Sequence, residues 1–160
     1  MSYRSALDGL EFPTMHRLLL LQLASTLALC GLIWTVQLVQ YPLFSRVGNE
    51  AFTAYHAAHS QRITWVVGPL MLVELGSALM LLAERPPRLP VASLWLGIAL
   101  LAVIWLSTAF LQVPRHGELA TGFDPRVHHF LVVSNWLRTA AWSARGALVL
   151  WWTHLLLTKP

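Results

Sequence analysis

The chain has a single cysteine, Cys30, so no disulfide can close within it and thiol usage carries no compartment signal. Charge is scarce. Only 11% of residues are charged, and the net charge of +4 is scattered, with no basic run of the kind that binds nucleic acid or an anionic lipid surface. No glycine-rich phosphate loop occurs, no serine stands in a nucleophile elbow, and Cys30 has no base at its depth in the sequence. Nucleotide handling and nucleophilic catalysis are therefore not expected. No low-complexity segment occurs, and no internal repeat is strong enough to indicate a duplication. The first apolar stretch also lacks the short core and small-residue cleavage site of a signal peptide. It runs on into Trp34, Gln37 and Gln40, so a retained helix is expected.

What is present is apolar: 56% of the residues are hydrophobic. Four stretches stand out, at Leu18–Val36, Ile63–Ala83, Leu89–Leu111 and Phe130–Leu157. Each is about 19 residues or longer, enough at the helical rise to cross a hydrocarbon layer of roughly 30 Å. An open sheet would leave unpaired backbone groups in lipid, so helices are the only solution. The expected fold is all-α, an integral membrane up-down four-helix bundle in one domain spanning 1–160, with both termini on one side. Its spans fall near 17–39, 61–84, 89–112 and 130–157, and the second and fourth helices extend outside the membrane at their N-terminal ends. Eight tryptophans suit this reading. Trp34, Trp65, Trp136, Trp151 and Trp152 lie near span ends, while Trp105 and Trp142 are more interior. Arg4, Arg17, Arg85, Arg88 and Lys159 on the terminal side nearly balance Arg46, Arg62, Arg115 and Arg126 on the other. The short ERPPR loop tips the termini toward the cytoplasm, with a bacterial inner membrane as the expected location. The lipid bilayer is the first partner.

Punctuation along the chain is clear. Pro42 is expected to end the first helix and Pro114 the third. Asn49 is a good N-cap for a helix from Glu50, and Asp124 for one from Pro125. Gly68-Pro69 should kink the second helix, and RPPR should close a tight helical hairpin. Residues 1–15 form a short interfacial lead-in.

The polar side chains gather toward the end of the bundle that carries the first and third loops. Gln37, Gln40, Tyr41 and Arg46 end the first span, and Tyr55, His56, His59, Gln61 and Arg62 precede the second. Gln112, Arg115 and His116 end the third, and His128, His129, Asn135 and Arg138 begin the fourth. Asn135, Arg138, Trp142 and Arg145 are spaced by three, four and three, one stripe down a helix. Glu74 is the one acid within a span, and helical rise puts it and Arg145 at similar depth, roughly 25 Å from His56 and His128 respectively. A lone charge there costs at least about 2.5 kcal/mol, so a structural Glu74–Arg145 ion pair is expected. His56, His59, His116, His128 and His129 could together hold a metal ion or a haem, since neutral imidazole suits both. Alternatively they are hydrogen-bonding interfacial histidines.

The remaining pocket residues suit a small hydrophobic or aromatic molecule with an anionic or phenolic oxygen. Gln37, Gln40, Tyr55, Gln112 and Trp142 would bind it. Asn135 and Arg138 would stabilise the oxyanion, and His116 or His59 would remove the proton. The stretch QVPRHGELATGFD followed by NWLRT resembles the anthrone-oxygenase-like family of small four-helix membrane proteins. That family often carries an Asn-x-Pro-x-Asn element after the third span and a Trp-Asn-x-x-Arg-Thr element opening the fourth. Gln112, Pro114 and His116 stand in the first, and Asn135, Arg138 and Thr139 in the second, with NW in place of WN. YPLFSRVGNEAFTAYHAAH resembles the family's first loop. The resemblance implies oxidation of an anthrone-like substrate without a dedicated metal. Two other readings stay open: a membrane metal or haem protein, and a non-enzymatic carrier or structural subunit. Small residues at Gly76, Ala83 and Gly97 permit close helix packing within one chain or in a homo-oligomer.

Overall fold

A computed structural model describes residues 3–158, with side chains from Met15 to Thr158. Lys159 and the Arg4 side chain, both used in weighing the charge of the two ends, lie outside the described residues, as do the side chains of the lead-in. The described residues are helical, with no strand. Helix α1 covers Tyr3–Thr35 and passes through a π turn, Val36–Gln40, into the short α2, Tyr41–Phe44. Helix α3 covers Asn49–Glu84. Helix α4, Val91–Ser107, passes through a second π turn, Thr108–Gln112, into α5, Val113–Leu119. Helix α6 covers Pro125–Leu157.

The two prolines expected to end helices are absorbed instead. Proline lacks the N–H that would bind the carbonyl four residues back, so a regular helix cannot accommodate it without adjustment. Here the preceding residue reaches one further: the Tyr41 N–H binds the Val36 carbonyl, and the Val113 N–H binds that of Thr108. This i to i−5 pattern inserts one extra residue and carries the first helix to Phe44 and the third to Leu119. Pro69 likewise lies inside a continuous α3. The α3 start shifts by one residue from expectation, with Gly48 as N-cap and no side-chain cap bond from Asn49. Asp124 caps α6 as its position suggests, its Oδ1 accepting from the Arg126 and Val127 amides at 2.7 and 3.0 Å. At the α3–α4 hairpin, Arg85 takes a left-handed conformation at φ 48° and its N–H closes on the Leu81 carbonyl.

Contacts run in opposite order along neighbouring helices. Gln22 and Thr26 of α1 meet Ser77 and Glu74 of α3. Cys30 and Trp34 of α1 meet Gly146 and Ser143 of α6. Ser93 and Gly97 of α4 meet Trp152 and Arg145 of α6. One apolar core cluster, around Phe44, Phe52, Ile104, Leu131 and Trp142, fills the end near the first and third loops. A second, around Leu81, Leu94, Val149 and Trp152, fills the other. Trp152 is thus buried and donates to Ser93 Oγ at 2.9 Å, rather than marking an interface.

Three helical stretches are long and apolar enough to cross a membrane: Met15–Phe44, Asn49–Glu84 and Val91–Leu119. The expected fourth span, 130–157, lies in a helix of sufficient length whose polar stripe lowers its apolar character. That stripe faces inward, with Asn135, Arg138 and Arg145 all buried, while Val133, Trp136, Leu137, Leu150 and Trp151 face out.

The π turns also reveal a correspondence that the sequence pattern alone did not. Gln40 and Gln112, Pro42 and Pro114, and His56 and His128 are each 72 positions apart. At that offset the first π turn falls on the second, and α3 falls on α6. The chain is built as two similar halves, each a helix with a π turn before a proline, a loop, and a returning helix.

Gly97 is required by close approach. A Cβ there would sit 2.9 Å from the buried Trp152 ring and 3.4 Å from Arg145 Nη1, whereas one at Gly76 meets nothing within 4 Å. Gly97→Ala is expected to lower stability by about 1–3 kcal/mol. Gly76→Ala is expected to be neutral or stabilising by up to about 1 kcal/mol, both read by thermal unfolding of the purified protein. The Val127 and Arg126 amides hold the Asp124 carboxyl below the usual carboxylate range. Its capping is therefore complete above about pH 4 and is lost as pH falls through its lowered folded value. Protection of the Arg126 and Val127 amides, measured against their intrinsic exchange rates, should fall at acid pH, and Asp124→Asn should remove most of that pH dependence.

Candidate functional site

Two buried polar systems run down the bundle. The first joins all four long helices. Glu74 Oε1 accepts from Arg145 Nε and from Thr26 Oγ1, both at 2.8 Å, and Oε2 accepts from Trp142 Nε1 at 3.1 Å. Arg145 Nη1 donates to the Gly97 carbonyl at 2.5 Å. Behind Thr26, Gln22 Nε2 donates to its hydroxyl and Ser77 donates to Gln22 Oε1. The expected ion pair is thus present, fully buried and hydrogen-bonded on both sides. Sequence reading had no signal for Gln22, Thr26 and Ser77, whose small or neutral side chains are common in any helix.

The second system lies nearer the first and third loops. Tyr41 hydroxyl and His116 Nε2 are 2.9 Å apart, and His116 Nδ1 and His56 Nε2 are 3.0 Å apart. The Arg138 guanidinium lies close enough to Tyr41 to interact electrostatically with its hydroxyl. Arg138 is 7% exposed, stands 5.3 Å over the Trp142 ring, and has no carboxylate partner among the described residues. With both imidazoles neutral, protons along this chain can be ordered in either direction. Tyr41 can donate to His116, which then donates to His56, or His56 can donate to His116 and His116 to the phenol oxygen. Such a chain can pass a proton without moving heavy atoms. Tyr41, set in place by the first π turn and Pro42, is one end of it, and its adjacent proline is the sequence signal that could have marked it.

Glutamines from the π turns complete this layer. Gln37 Oε1 accepts from Asn135 Nδ2 at 2.8 Å, and Gln37 Nε2 donates to the Val132 carbonyl at 3.1 Å. Gln112 Nε2 donates to Ser134 Oγ at 2.9 Å. Several buried atoms are left without a protein partner: Asn135 Oδ1, Gln112 Oε1, Arg138 Nε and His56 Nδ1. Buried polar atoms normally find partners, so these mark unmet hydrogen-bonding capacity in this layer, as Arg145 Nη2 does in the other.

The expected ligand-contacting residues divide. Gln40, Tyr55 and His59 line an open groove of about 280 Å³, together with Ala58, Arg62, Ile63 and Val66. Gln37, Gln112, Asn135, Arg138 and Trp142 are buried and do not line it. His59 connects the two regions, its ring lying 6.3 Å from that of His116 at an interplanar angle of 24°.

The five histidines do not form one ligand set, and no group of three or more His, Cys, Asp or Glu side chains among the described residues could hold a metal ion. Both ring nitrogens of His116 are engaged. His128 Nε2 lies 2.7 Å from the Tyr41 carbonyl, which can only accept, so that nitrogen carries a proton. His129 is exposed on the outside of α6. As placed, His56 and His116 bond each other, His128 bonds the Tyr41 carbonyl, and the five do not make a metal-ion ligand set. Comparison of the chain with protein-family models, curated proteins and solved structures found no match.

The Glu74–Arg145 pair yields a sharp test. Glu74→Gln or Arg145→Met alone leaves one uncompensated buried charge and should destabilise by about 3–5 kcal/mol. The double variant should lose much less than the two single losses combined, as read from unfolding midpoints across the mutant cycle.

Proposed function

We propose that the chain is an integral-membrane, up-down four-helix protein of oxidoreductase type acting on a small aromatic or quinone-like molecule. Membrane insertion is supported by the inside-out distribution of polarity. Large apolar side chains are exposed along every long helix, including Leu20, Leu72, Trp95 and Trp136, while Gln22, Glu74, Asn135 and Arg145 are fully buried. A water-soluble bundle would expose the second group and bury the first. On this reading α6 is the fourth span, with Arg145 paired to Glu74 and Arg138 turned inward beside Tyr41 and Trp142 rather than toward lipid. Antiparallel neighbours joined by short connections put both termini on one side. A bacterial inner membrane rests on the family resemblance alone.

The observation that carries the chemical reading is Arg138, a buried cation without a carboxylate, beside a phenol that is hydrogen-bonded to an imidazole pair. A guanidinium so placed favours a negative oxygen beside it. On this reading His59, which lines the groove, removes a proton from the substrate, and the buried Arg138, acting through the Tyr41–His116–His56 chain, favours the negative oxygen that results. For the anthrone-type oxidation that the resemblance implies, one methylene and one dioxygen give one carbonyl and one water. Dioxygen, the co-reactant, takes the electrons released from the enolate.

Oxygen uptake with a hydroxylated anthrone, using purified protein in lipid nanodiscs, tests this. Arg138→Gln should lower kcat by about 10²–10³-fold, and His116→Gln should do the same with an altered pH profile. If Arg138→Gln lowers only the unfolding temperature and leaves turnover intact, the oxyanion role is wrong and the carrier or structural-subunit reading replaces it.

A further inference from the structure

At the 72-position offset most side chains of the two halves differ, and one set of differences falls at the groove. Groove residues Gln40, Ala58 and Arg62 stand where the second half has Gln112, Phe130 and Ser134. In the second half, Gln112 Nε2 closes on Ser134 Oγ at 2.9 Å. In the first half, a methyl replaces the Phe130 ring and an arginine replaces the small hydroxyl. No hydrogen bond joins Gln40 to Arg62, and a groove of about 280 Å³ lies between the first π turn and α3.

What this groove offers is specific. Gln40 Oε1 is buried with no partner and needs a donor. Arg62 has no acidic partner among the described residues, so it favours an electron-rich oxygen. His59 is the outermost ring of a stack in which Phe52 and His56 lie 5.6 Å apart, His56 and His116 5.2 Å, and His116 and His59 6.3 Å, all within 29° of parallel. A planar ring can extend that stack. Below Arg62, Val66 and Val73 continue the same face of α3 at helical spacing, and both are exposed.

We propose that the groove is the head-group site of a prenylated quinone or quinol that enters sideways from the bilayer. The hydroxyl-bearing ring sits against His59, donates to Gln40 Oε1 and presents its other oxygen to Arg62. The isoprenoid tail lies along Val66 and Val73. The assignment rests on the membrane and aromatic-substrate reading above but concerns binding, not turnover.

The full chain in phospholipid nanodiscs, with a hydroquinone carrying a two-isoprene tail and a photoreactive azide as probe, tests it. Crosslinks should map to residues 55–66. Ala58→Phe, which installs the second half's ring in the first, should weaken binding about tenfold or more. Arg62→Gln, an exposed change that leaves the packing untouched, should weaken it by a similar factor. Arg126→Gln, an exposed change outside the groove, should leave binding within about twofold of wild type. Wild-type binding without turnover in any variant would defeat the chemical reading and leave the groove assignment standing. Crosslinks elsewhere, wild-type affinity in Ala58→Phe and Arg62→Gln, or a co-purifying phospholipid that the probe fails to displace would overturn the groove assignment.

Discussion

Glu74 and Arg145 are the point through which the bundle is tied together. The carboxylate of α3 takes the guanidinium of α6 and the Thr26 hydroxyl of α1, and the same guanidinium reaches the Gly97 carbonyl of α4. Four helices therefore meet at one pair of opposite charges. In a low-dielectric interior such a pair is tolerated only when its remaining hydrogen-bonding capacity is met, and Trp142 and Thr26 supply much of that. Gly97 has no side chain because Arg145 and Trp152 occupy the space one would need. The register of every helix is set at this level, and the layer of tyrosine and histidines above inherits it.

That upper layer depends on two prolines. At Pro42 and Pro114 the preceding residue bonds five back, and the extra residue in each π turn fixes where Gln37, Gln40, Tyr41 and Gln112 stand. Tyr41 thereby lies close to both His116 and Arg138. The difference between the two arginines of the stripe follows. Arg145 is neutralised by a carboxylate, whereas Arg138 meets a phenol, a weaker acid that can itself give up or accept a proton.

Much of this could be read before any coordinates. Length and hydropathy indicated helices, the three, four, three spacing put Arg138 and Arg145 on one face, and helical rise brought Glu74 to the depth of Arg145. Less visible was what depends on backbone detail. Proline reads as a stop in sequence, and nothing in QLVQYP or AFLQVP states that a π turn will carry the helix through. For the same reason the two-fold repetition went unseen, since its clearest marks are a glutamine, a proline and a histidine at matching offsets rather than extended likeness. The histidines were legible as a cluster but not as a chain, because ring nitrogens bonded to each other and ligands awaiting a metal share the same spacing.

The pairing of two similar halves in one chain has a consequence for how such a protein can diverge. In a symmetric assembly of two identical chains, any substitution appears twice, so a residue that opens one crevice opens its mate as well. Covalent fusion lifts that coupling. The same scaffold position can then be an alanine on one side and a phenylalanine on the other, at Ala58 and Phe130, and the two flanks of one molecule can take different shapes.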